Sequence, residues 1–166
     1  MEAYLPHILN TAKASGLVPE RAEDVAQSTF ETFIERASAF EGQSHVRTWL
    51  FGILYKKISE ARRGVERDRK FDDIEDVVEA RFDAAGMWKN STQVLELYGA
   101  ELGVHIESCL ELLPVKQRMA FVLRELQEMS SEEMCKIFKV TRTNLGVLLY
   151  RGRNRLRECL ERNGVE

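Results

Sequence analysis

The sequence predicts an all-α protein made of two small helical domains that an acidic linker joins. Apolar residues recur at helical spacing along most of the chain, and capping residues or prolines stand where these periodic stretches begin. No two alternating apolar runs flank a tight turn, so no β-hairpin is predicted. The predicted boundaries are 1–64 for the N-terminal domain, 65–94 for the linker and 95–166 for the C-terminal domain.

Three helices are predicted in the N-terminal domain. The first covers residues 4–14, and the second runs over 19–39 because Pro19 suits the first turn of a helix. The third covers 45–63, with Ser44 as its N-cap. The residues expected to face the core are Leu5, Ile8, Leu9 and Ala12 in the first helix and Trp49, Leu50, Ile53, Leu54 and Ile58 in the third.

Four helices are predicted in the C-terminal domain. The first begins near Val94, and Pro114 opens the second. Ser130 and Glu133 form a capping-box pattern at the start of the third, and Thr141 can cap the fourth. A short helix, a turn of three or four residues and a longer helix form a helix-turn-helix, whose second helix can enter the DNA major groove.

The charge pattern of this segment favours nucleic acid. Between Lys136 and Arg157 the chain carries cations and no acid, although its formal net charge is -3. A basic block in an acidic chain is the electrostatic footprint of a phosphate-binding surface. The alternative is a solvated amphipathic helix end, since arginines also suit the negative end of a helix macrodipole.

Several other classes of protein are disfavoured. No apolar run approaches the ~20 residues of a membrane span, and the N-terminus lacks a signal-peptide pattern, so a cytoplasmic protein without membrane insertion is expected. No nucleophile–base pair, phosphate-binding glycine loop or enclosed carboxylate pair occurs, so neither an enzyme nor a cofactor is predicted. Cys109, Cys135 and Cys159 lie in helical patterns and are expected at small core or surface positions. Only His105 lies close in sequence to one of these cysteines, Cys109, and two potential ligands are too few for a metal site.

Two segments carry motifs that are specific as a set. Residues 21–63 contain A-E-D-V-A-Q-x-x-F and F-x-G-x-x-x-x-R-T-W-L, and residues 110–158 contain L-P-x-x-Q-R followed by the helix-turn-helix. These segments resemble regions 2 and 4 of bacterial sigma factors of the sigma-70 family, extracytoplasmic function (ECF) group. The order, the spacing and the acidic linker also match that group, which keeps only these two domains.

The resemblance implies a transcription initiation factor that binds core RNA polymerase, recognises the minus-10 and minus-35 elements of promoter DNA and promotes melting. It also implies control by an anti-sigma factor. It assigns polymerase binding to Asp24, Gln27, Phe30 and Glu31, although periodicity alone makes the polar members an ordinary solvated face. It assigns minus-10 DNA binding to Arg47, Lys56, Lys57, Arg62 and Arg63. It assigns minus-35 DNA binding to Arg142, Thr143 and Asn144, with Arg151 and Arg153 on the DNA backbone.

The sequence departs from the family pattern at three places. Lys139 stands where the turn of the helix-turn-helix usually has glycine, so a left-handed backbone there costs of order 1 kcal/mol. Lys56 replaces an asparagine that many members carry. Residues 146–148 replace the polar residues usual in the middle of the recognition helix, so this face could contact thymine methyls or a protein.

Two other functions remain open at the level of sequence. A DNA-binding regulator that needs no polymerase would share the helix-turn-helix but would carry a ligand pocket or a dimer seam in its N-terminal domain. An interaction protein would use the apolar face Val147–Leu149 to bind another helix. Because the cations are confined to small areas of an acidic chain, weak DNA binding by the free protein is expected.

Overall fold

The computed structural model describes residues 2–42, 45–67 and 99–164, and within these ranges only the backbone of 63–67 and 99–104. Ser44, the predicted N-cap, and most of the predicted linker lie outside the described residues. The described chain forms seven α-helices and one short 3-10 helix and contains no strand, so the predicted all-α class is confirmed. The helices are α1 (Leu5–Ala14), α2 (Pro19–Glu35), α3 (Val46–Arg67), α4 (Gly99–Glu111), α5 (Val115–Glu125), α6 (Ser131–Phe138) and α7 (Arg142–Arg162).

The first two helices form where the sequence predicts them, with two differences. Leu5 was expected in the core but is 48% exposed, because it lies in the first turn of α1, while Thr11 is buried instead. Helix α2 ends at Glu35 and not at residue 39, since the backbone leaves the helical conformation at Arg36 and continues as a 3-10 helix over Ala37–Ala39. The prediction of one continuous helix over 19–39 was therefore wrong in its last turn.

Helix α3 is apolar on more than one side. Leu50, Ile53, Leu54 and Ile58 are buried as predicted, whereas Trp49 is half-buried. The Trp49 ring contacts the rings of Phe33 and Phe40, with centroid distances of 5.2 and 5.0 Å. Phe51 is fully buried although it lies outside the predicted stripe. It is buried because α3 also contacts helices from the C-terminal part of the chain.

The N-terminal helices (α1–α3) and the C-terminal helices (α4–α7) share one apolar core. A single cluster of buried residues includes Ile8, Leu50 and Phe51 from the first group and Met119, Met134 and Phe138 from the second. A smaller cluster lies between α4 and α7 and includes Leu110, Leu113, Leu156 and Leu160. Helix α3 thus packs against α1 and α2 on one side and against α5 and α6 on the other.

Two buried guanidinium groups join α1 to this core. Arg118 of α5 is 1% exposed, and its Nε donates to the carbonyl oxygen of Ala14 at 2.7 Å. Arg62 of α3 is 6% exposed, and its Nη1 donates to the carbonyl oxygen of Ser15 at 2.8 Å. The last carbonyls of a helix lack partners inside the helix and carry its negative pole, so cations are favoured there.

Gly16 makes this arrangement possible. Its φ of +92° is left-handed, and a Cβ at this position would overlap the guanidinium groups of Arg62 and Arg118. The turn after α1 therefore needs glycine both for its backbone conformation and for the space that the two arginines occupy.

A disulfide bond joins α4 to α7 through Cys109 and Cys159, which are 50 residues apart in the sequence. Both residues are buried, although the sequence allowed either core or surface positions. Their pairing was not predicted, because helical periodicity places each residue on a face without identifying the opposite helix. Cys135 of α6 is free and half-buried. Among the described residues no group of three or more His, Cys, Asp and Glu comes together to hold a metal ion.

None of the helices in the described part of the chain combines the length and the apolar character that a membrane span requires.

The disulfide is expected to stabilise the C-terminal helices. Under oxidising conditions Cys159→Ser should lower the free energy of unfolding by about 2–4 kcal/mol. Without the disulfide the unfolded chain is no longer closed into a long loop, so its conformational entropy is higher. Denaturant titration followed by circular dichroism measures the change. Excess reductant should bring the wild type close to the variant, and Cys135→Ser should leave the difference between oxidised and reduced protein intact. A wild type that is equally stable with and without reductant would contradict the bond.

Candidate nucleic-acid interface

The helix-turn-helix forms with both predicted caps. Ser130 Oγ accepts a hydrogen bond from the backbone N–H of Glu133 at 3.2 Å, and Glu133 Oε2 accepts one from the Ser130 N–H at 3.0 Å. This reciprocal pair is a complete capping box at the start of α6. Thr141 Oγ1 accepts from the Asn144 N–H at 3.2 Å and caps α7.

The turn between α6 and α7 adopts a left-handed backbone at Lys139, with φ 55° and ψ 49°. The sequence left open whether the left-handed backbone is kept with lysine at this position, and the structure shows that it is. The Val140 N–H closes the turn by donating to the carbonyl oxygen of Cys135 at 3.2 Å. A lysine in this conformation retains backbone strain that glycine would avoid.

The recognition helix α7 presents its first turn to solvent. Arg142, Thr143 and Asn144 are all exposed, whereas Leu145 is buried and fixes the helix on the core. An open groove of about 600 Å³ adjoins this turn and is lined by Glu132, Cys135, Lys136, Val140 and Arg142. The N-terminal residues of a recognition helix are the ones that reach base edges in the major groove, so this geometry suits DNA.

The apolar stretch in the middle of α7 faces mainly inward. Leu149 is buried and Leu148 packs against the same core, while only Val147, at 42% exposure, is open to solvent. The Val147–Leu149 face on which the interaction-protein hypothesis depends is therefore largely occupied by the protein's own core.

Part of the basic block is neutralised by acids from outside it. Arg153 lies 3.3 Å from Glu125, Lys136 lies 3.6 Å from Glu132, and Arg157 lies 2.9 Å from Glu161. Arg153, placed on the DNA backbone by the resemblance, has a side chain only 11% exposed and belongs to this ion-paired set. Arg151, its neighbour in the minus-35 set, is exposed. The pairs of Lys136 with Glu132 and of Arg157 with Glu161 are four residues apart in one helix and can be read from the sequence. Only the pair of Arg153 with Glu125 joins two helices and required the structure.

Arg124 belongs to a polar cluster between α5, α6 and α7 that also contains Glu125, Ser131 and Arg153. Its Nη2 donates to Ser131 Oγ at 2.8 Å. Burial and, after it, the positive charge of Arg153 lower the pKa of the Arg124 guanidinium below its ordinary value. This cluster holds α5, α6 and α7 together and lies away from the exposed first turn of α7.

The residues assigned to the minus-10 element are not brought together. Lys56 is exposed and Lys57 half-buried on α3, and the side chain of Arg63 lies outside the described part. Arg62 is buried and bonded to the Ser15 carbonyl, so in this arrangement it cannot follow the phosphates of a strand. Arg47 is half-buried against the C-terminal helices, where it contacts the Gln127 carbonyl oxygen and lies 3.8 Å from Glu133 Oε1.

The three polar residues assigned to polymerase binding share one face of α2. Asp24, Gln27 and Glu31 are exposed, and Gln27 Nε2 donates to Glu31 Oε1 at 3.0 Å. Phe30 is half-buried and packs against the core from the same helix. This face of α2 is acidic and exposed, and the opposite side of the helix is buried.

Comparison with known proteins gives the family. The family model for sigma-70 region 2 matches residues 1–68, and the model for sigma-70 region 4 matches residues 104–156. A probable RNA polymerase sigma factor of Haemophilus influenzae is 37% identical over 150 residues, which is 85% of this chain and 77% of that protein. The chain belongs to the sigma-70 family. This sigma factor is a member of the ECF group of transcription initiation factors.

Other relatives agree with this assignment. The RNA polymerase sigma factor YlaC of Bacillus subtilis is 29% identical over 98% of this chain and 91% of its own length. The ECF RNA polymerase sigma-E factor of Escherichia coli strain K12 is 30% identical over 74% of this chain and 63% of its own length. The regulator hypothesis is disfavoured, because region 2 of the family occupies the N-terminal helices where a ligand pocket or dimer seam was required.

Two solved structures share the fold. One is the sigma factor RpoE of Bartonella quintana in complex with the anti-sigma factor NepR, with a TM-score of 0.65, 23% identity and coverage of 96% of this chain and 92% of that one. The other is CnrH in complex with the cytosolic domain of CnrY, with a TM-score of 0.66, 21% identity and coverage of 96% and 84%. The all-α arrangement of this sigma factor is therefore that of known sigma factors.

Replacing Lys139 tests the strain in the turn. Lys139→Gly should raise the free energy of unfolding by about 0.5–1 kcal/mol, because relief of the left-handed strain exceeds the entropy that glycine adds to the unfolded chain. Lys139→Ala is the matched control, since it removes the charge and keeps the strain, and it should give no gain. Both values come from denaturant titration. Equal stabilisation by the two variants would show that the gain comes from loss of the lysine charge, and it would contradict relief of backbone strain as the cause.

Proposed function

We propose that this sigma factor directs core RNA polymerase to promoters with a minus-10 and a minus-35 element, and that its residues divide these tasks among three surfaces. The first turn of α7 reads the minus-35 element, the face of α2 binds polymerase, and the cationic side of α3 contacts the minus-10 strand. The observation that carries the proposal is the doubly capped helix-turn-helix with Arg142, Thr143 and Asn144 exposed at its recognition helix. Membership of the sigma-70 family supports the same division.

Within this proposal Arg142 and Asn144 supply sequence readout. Arginine pairs with guanine and asparagine with adenine through two hydrogen bonds each. Arg151 is the better candidate for a phosphate contact than Arg153, because Arg151 is exposed whereas the side chain of Arg153 is only 11% exposed. Lys56 and Lys57 are the candidates on α3, and Arg63 stays a candidate from the family pattern alone. Arg62 is assigned to the protein interior.

We also propose that the protein is cytoplasmic, performs no catalysis of its own and is held inactive by an anti-sigma factor. Both structural neighbours share the fold of this chain, and one of them, RpoE of Bartonella quintana, is a complex with an anti-sigma factor. The chemistry of nucleotide addition then belongs to the polymerase.

Transcription with core polymerase on a random promoter library tests the function directly. Addition of this sigma factor should produce start sites that share a two-part element. The absence of dependent start sites, together with tight DNA binding by the protein alone, would overturn the proposal and favour a regulator.

Arg142→Ala tests the minus-35 surface on the promoters so obtained. It should weaken promoter binding by the holoenzyme by about 1–3 kcal/mol and relax the preference at one position of the minus-35 element. Arg162→Ala is the matched control, because it removes the same charge from the exposed far end of the same helix. If both variants lose the same affinity at every promoter, the effect is general electrostatics and Arg142 is not a reader.

A charge reversal tests the polymerase surface. Asp24→Lys with Glu31→Lys should weaken binding to core polymerase at least about tenfold, because it inverts the charge of an exposed acidic face. Glu107→Lys with Glu111→Lys makes the same change on exposed positions of α4 and should leave the affinity unchanged. Fluorescence titration of labelled protein with core polymerase gives both values. Equal losses in the two pairs would argue against a dedicated surface on α2.

A further inference from the structure

The disulfide bond between Cys109 and Cys159 lies in the smaller of the two apolar clusters, where α4 packs against α7. The leucines of this cluster are Leu110, Leu113, Leu156 and Leu160. The cluster is separate from the shared core that fixes the helix-turn-helix. Reduction of the bond would therefore weaken the contact between α4 and α7 and leave the shared core intact.

The two sulfur-bearing residues differ in their access to solvent. Cys109 is 0% exposed, whereas Cys159 is 8% exposed and lies in the last turns of α7. An attacking thiolate breaks a disulfide at the sulfur that it can reach, and the other sulfur leaves. A reagent that reacts with this pair therefore meets Cys159 first.

Asn163, the residue after α7, places an amide on the bond. Its backbone N–H donates to the Cys159 carbonyl oxygen at 3.1 Å, which fixes the residue beside the helix end. Its side-chain Nδ2 donates to Cys109 Sγ at 3.5 Å and to Cys159 Sγ at 3.7 Å. A hydrogen-bond donor favours a sulfur that carries negative charge, and it offsets the negative pole of the helix terminus. The site thus supports the thiolate that forms whenever this bond is made or broken.

We propose that Cys109 and Cys159 are a reversible redox pair, in which Cys159 is the reacting sulfur and oxidation fixes α4 on the recognition helix. Cysteines of cytosolic proteins are kept reduced, and disulfides that form there are usually transient and serve catalysis or redox sensing. The inference rests on the proposed function in one respect, which is the cytoplasmic location. The pair converts the presence of an oxidant into a change in the docking of one helix.

A hydroperoxide is the oxidant. The Cys159 thiolate attacks one oxygen of hydrogen peroxide, the O–O bond breaks, and a sulfenic acid and hydroxide form. The Cys109 sulfur then attacks Cys159 Sγ, and the sulfenic hydroxyl leaves as water with the Cys109 proton. The hydroxide takes up the proton that Cys159 lost, so two thiols and one peroxide give one disulfide and two waters. A dithiol reverses the reaction by attack on Cys159, release of Cys109 as a thiol, and closure of its own disulfide.

The first test asks whether the bond is reversible. Full-length protein carrying Cys135→Ser, which removes the free cysteine, is equilibrated with mixtures of reduced and oxidised glutathione that span the cytosolic range. Free thiols are then alkylated with a maleimide of high mass and counted on a gel. Both thiols should be free in the most reducing mixtures and neither in the most oxidising ones. A bond that persists in every mixture is a permanent structural bond, and a bond that never forms is no redox pair, so either result overturns the proposal.

The second test identifies the reacting sulfur. Cys109→Ser and Cys159→Ser, each combined with Cys135→Ser, leave one thiol and lack the bond equally. With equal amounts of hydrogen peroxide and a dimedone probe for sulfenic acid, Cys159 should be labelled at least about fivefold faster than Cys109. Equal rates, or faster labelling of Cys109, would overturn the assignment.

A third variant tests the amide. Asn163→Ala should slow the reduction of the bond by a dithiol at least about threefold, because the leaving sulfur loses its hydrogen-bond donor. Arg162→Ala is the matched control, since it truncates the exposed neighbouring residue and should change the rate less than about twofold. Equal effects of the two variants would show that the amide has no role in the exchange.

Hydrogen exchange followed by mass spectrometry tests the structural result of oxidation. In the Cys135→Ser protein, reduction should speed exchange of the α4 amides at least about tenfold, while α1–α3 keep their protection. Cys159→Ser in the same background should exchange equally with and without reductant. Unchanged α4 amides, or a uniform loss across the whole protein, would overturn the link between the bond and α4. All four tests use purified protein without polymerase, so a failure of the proposed function, seen as absent promoter-dependent transcription, is distinguished from a failure of the redox pair.

Discussion

The contact of Arg118 with the last turn of α1 is the constraint on which the joint arrangement of the helices depends. A guanidinium that is 1% exposed needs acceptors within the protein, and the terminal carbonyls of α1 supply one at 2.7 Å. Arg62 satisfies the adjacent carbonyl from the N-terminal side. Because Gly16 leaves room for both groups, α5 is held against α1, and the helix-turn-helix that follows α5 is thereby placed against α3.

The conformation of the helix-turn-helix depends on local contacts, whereas its placement on the protein depends on contacts with distant helices. Its caps are closed by residues three apart in the sequence, and its turn by the left-handed Lys139. Its orientation is set by contacts of Phe138 and Leu145 with the shared core. One side of α7 packs on that core, and its first turn remains exposed to solvent.

Charge is distributed so that the exposed surfaces differ in sign. The exposed face of α2 is acidic, whereas two cations of α7, Arg153 and Arg157, are paired with Glu125 and Glu161. The phosphate-attracting area is therefore smaller than the sequence of the basic block indicates. We expect this arrangement to limit the affinity of the free sigma factor for DNA, so that the polymerase supplies most of the binding energy at a promoter.

The sequence by itself determined the helices, their caps and the family. These features depend on residues within a few positions of each other: Pro19 and Pro114 at helix starts, the Ser130–Glu133 pair and Thr141. The exposed first turn of α7 and the exposed polar face of α2 also follow from helical periodicity.

Only the tertiary structure decided which helix each buried face meets. Phe51 is buried, Arg62 is an interior group and Arg47 is engaged because helices distant in sequence pack against them. The pairing of Cys109 with Cys159 has the same origin. Periodicity gives the direction in which a side chain points along its own helix but carries no information about its neighbour across the core, so the roles of these residues required the packed structure.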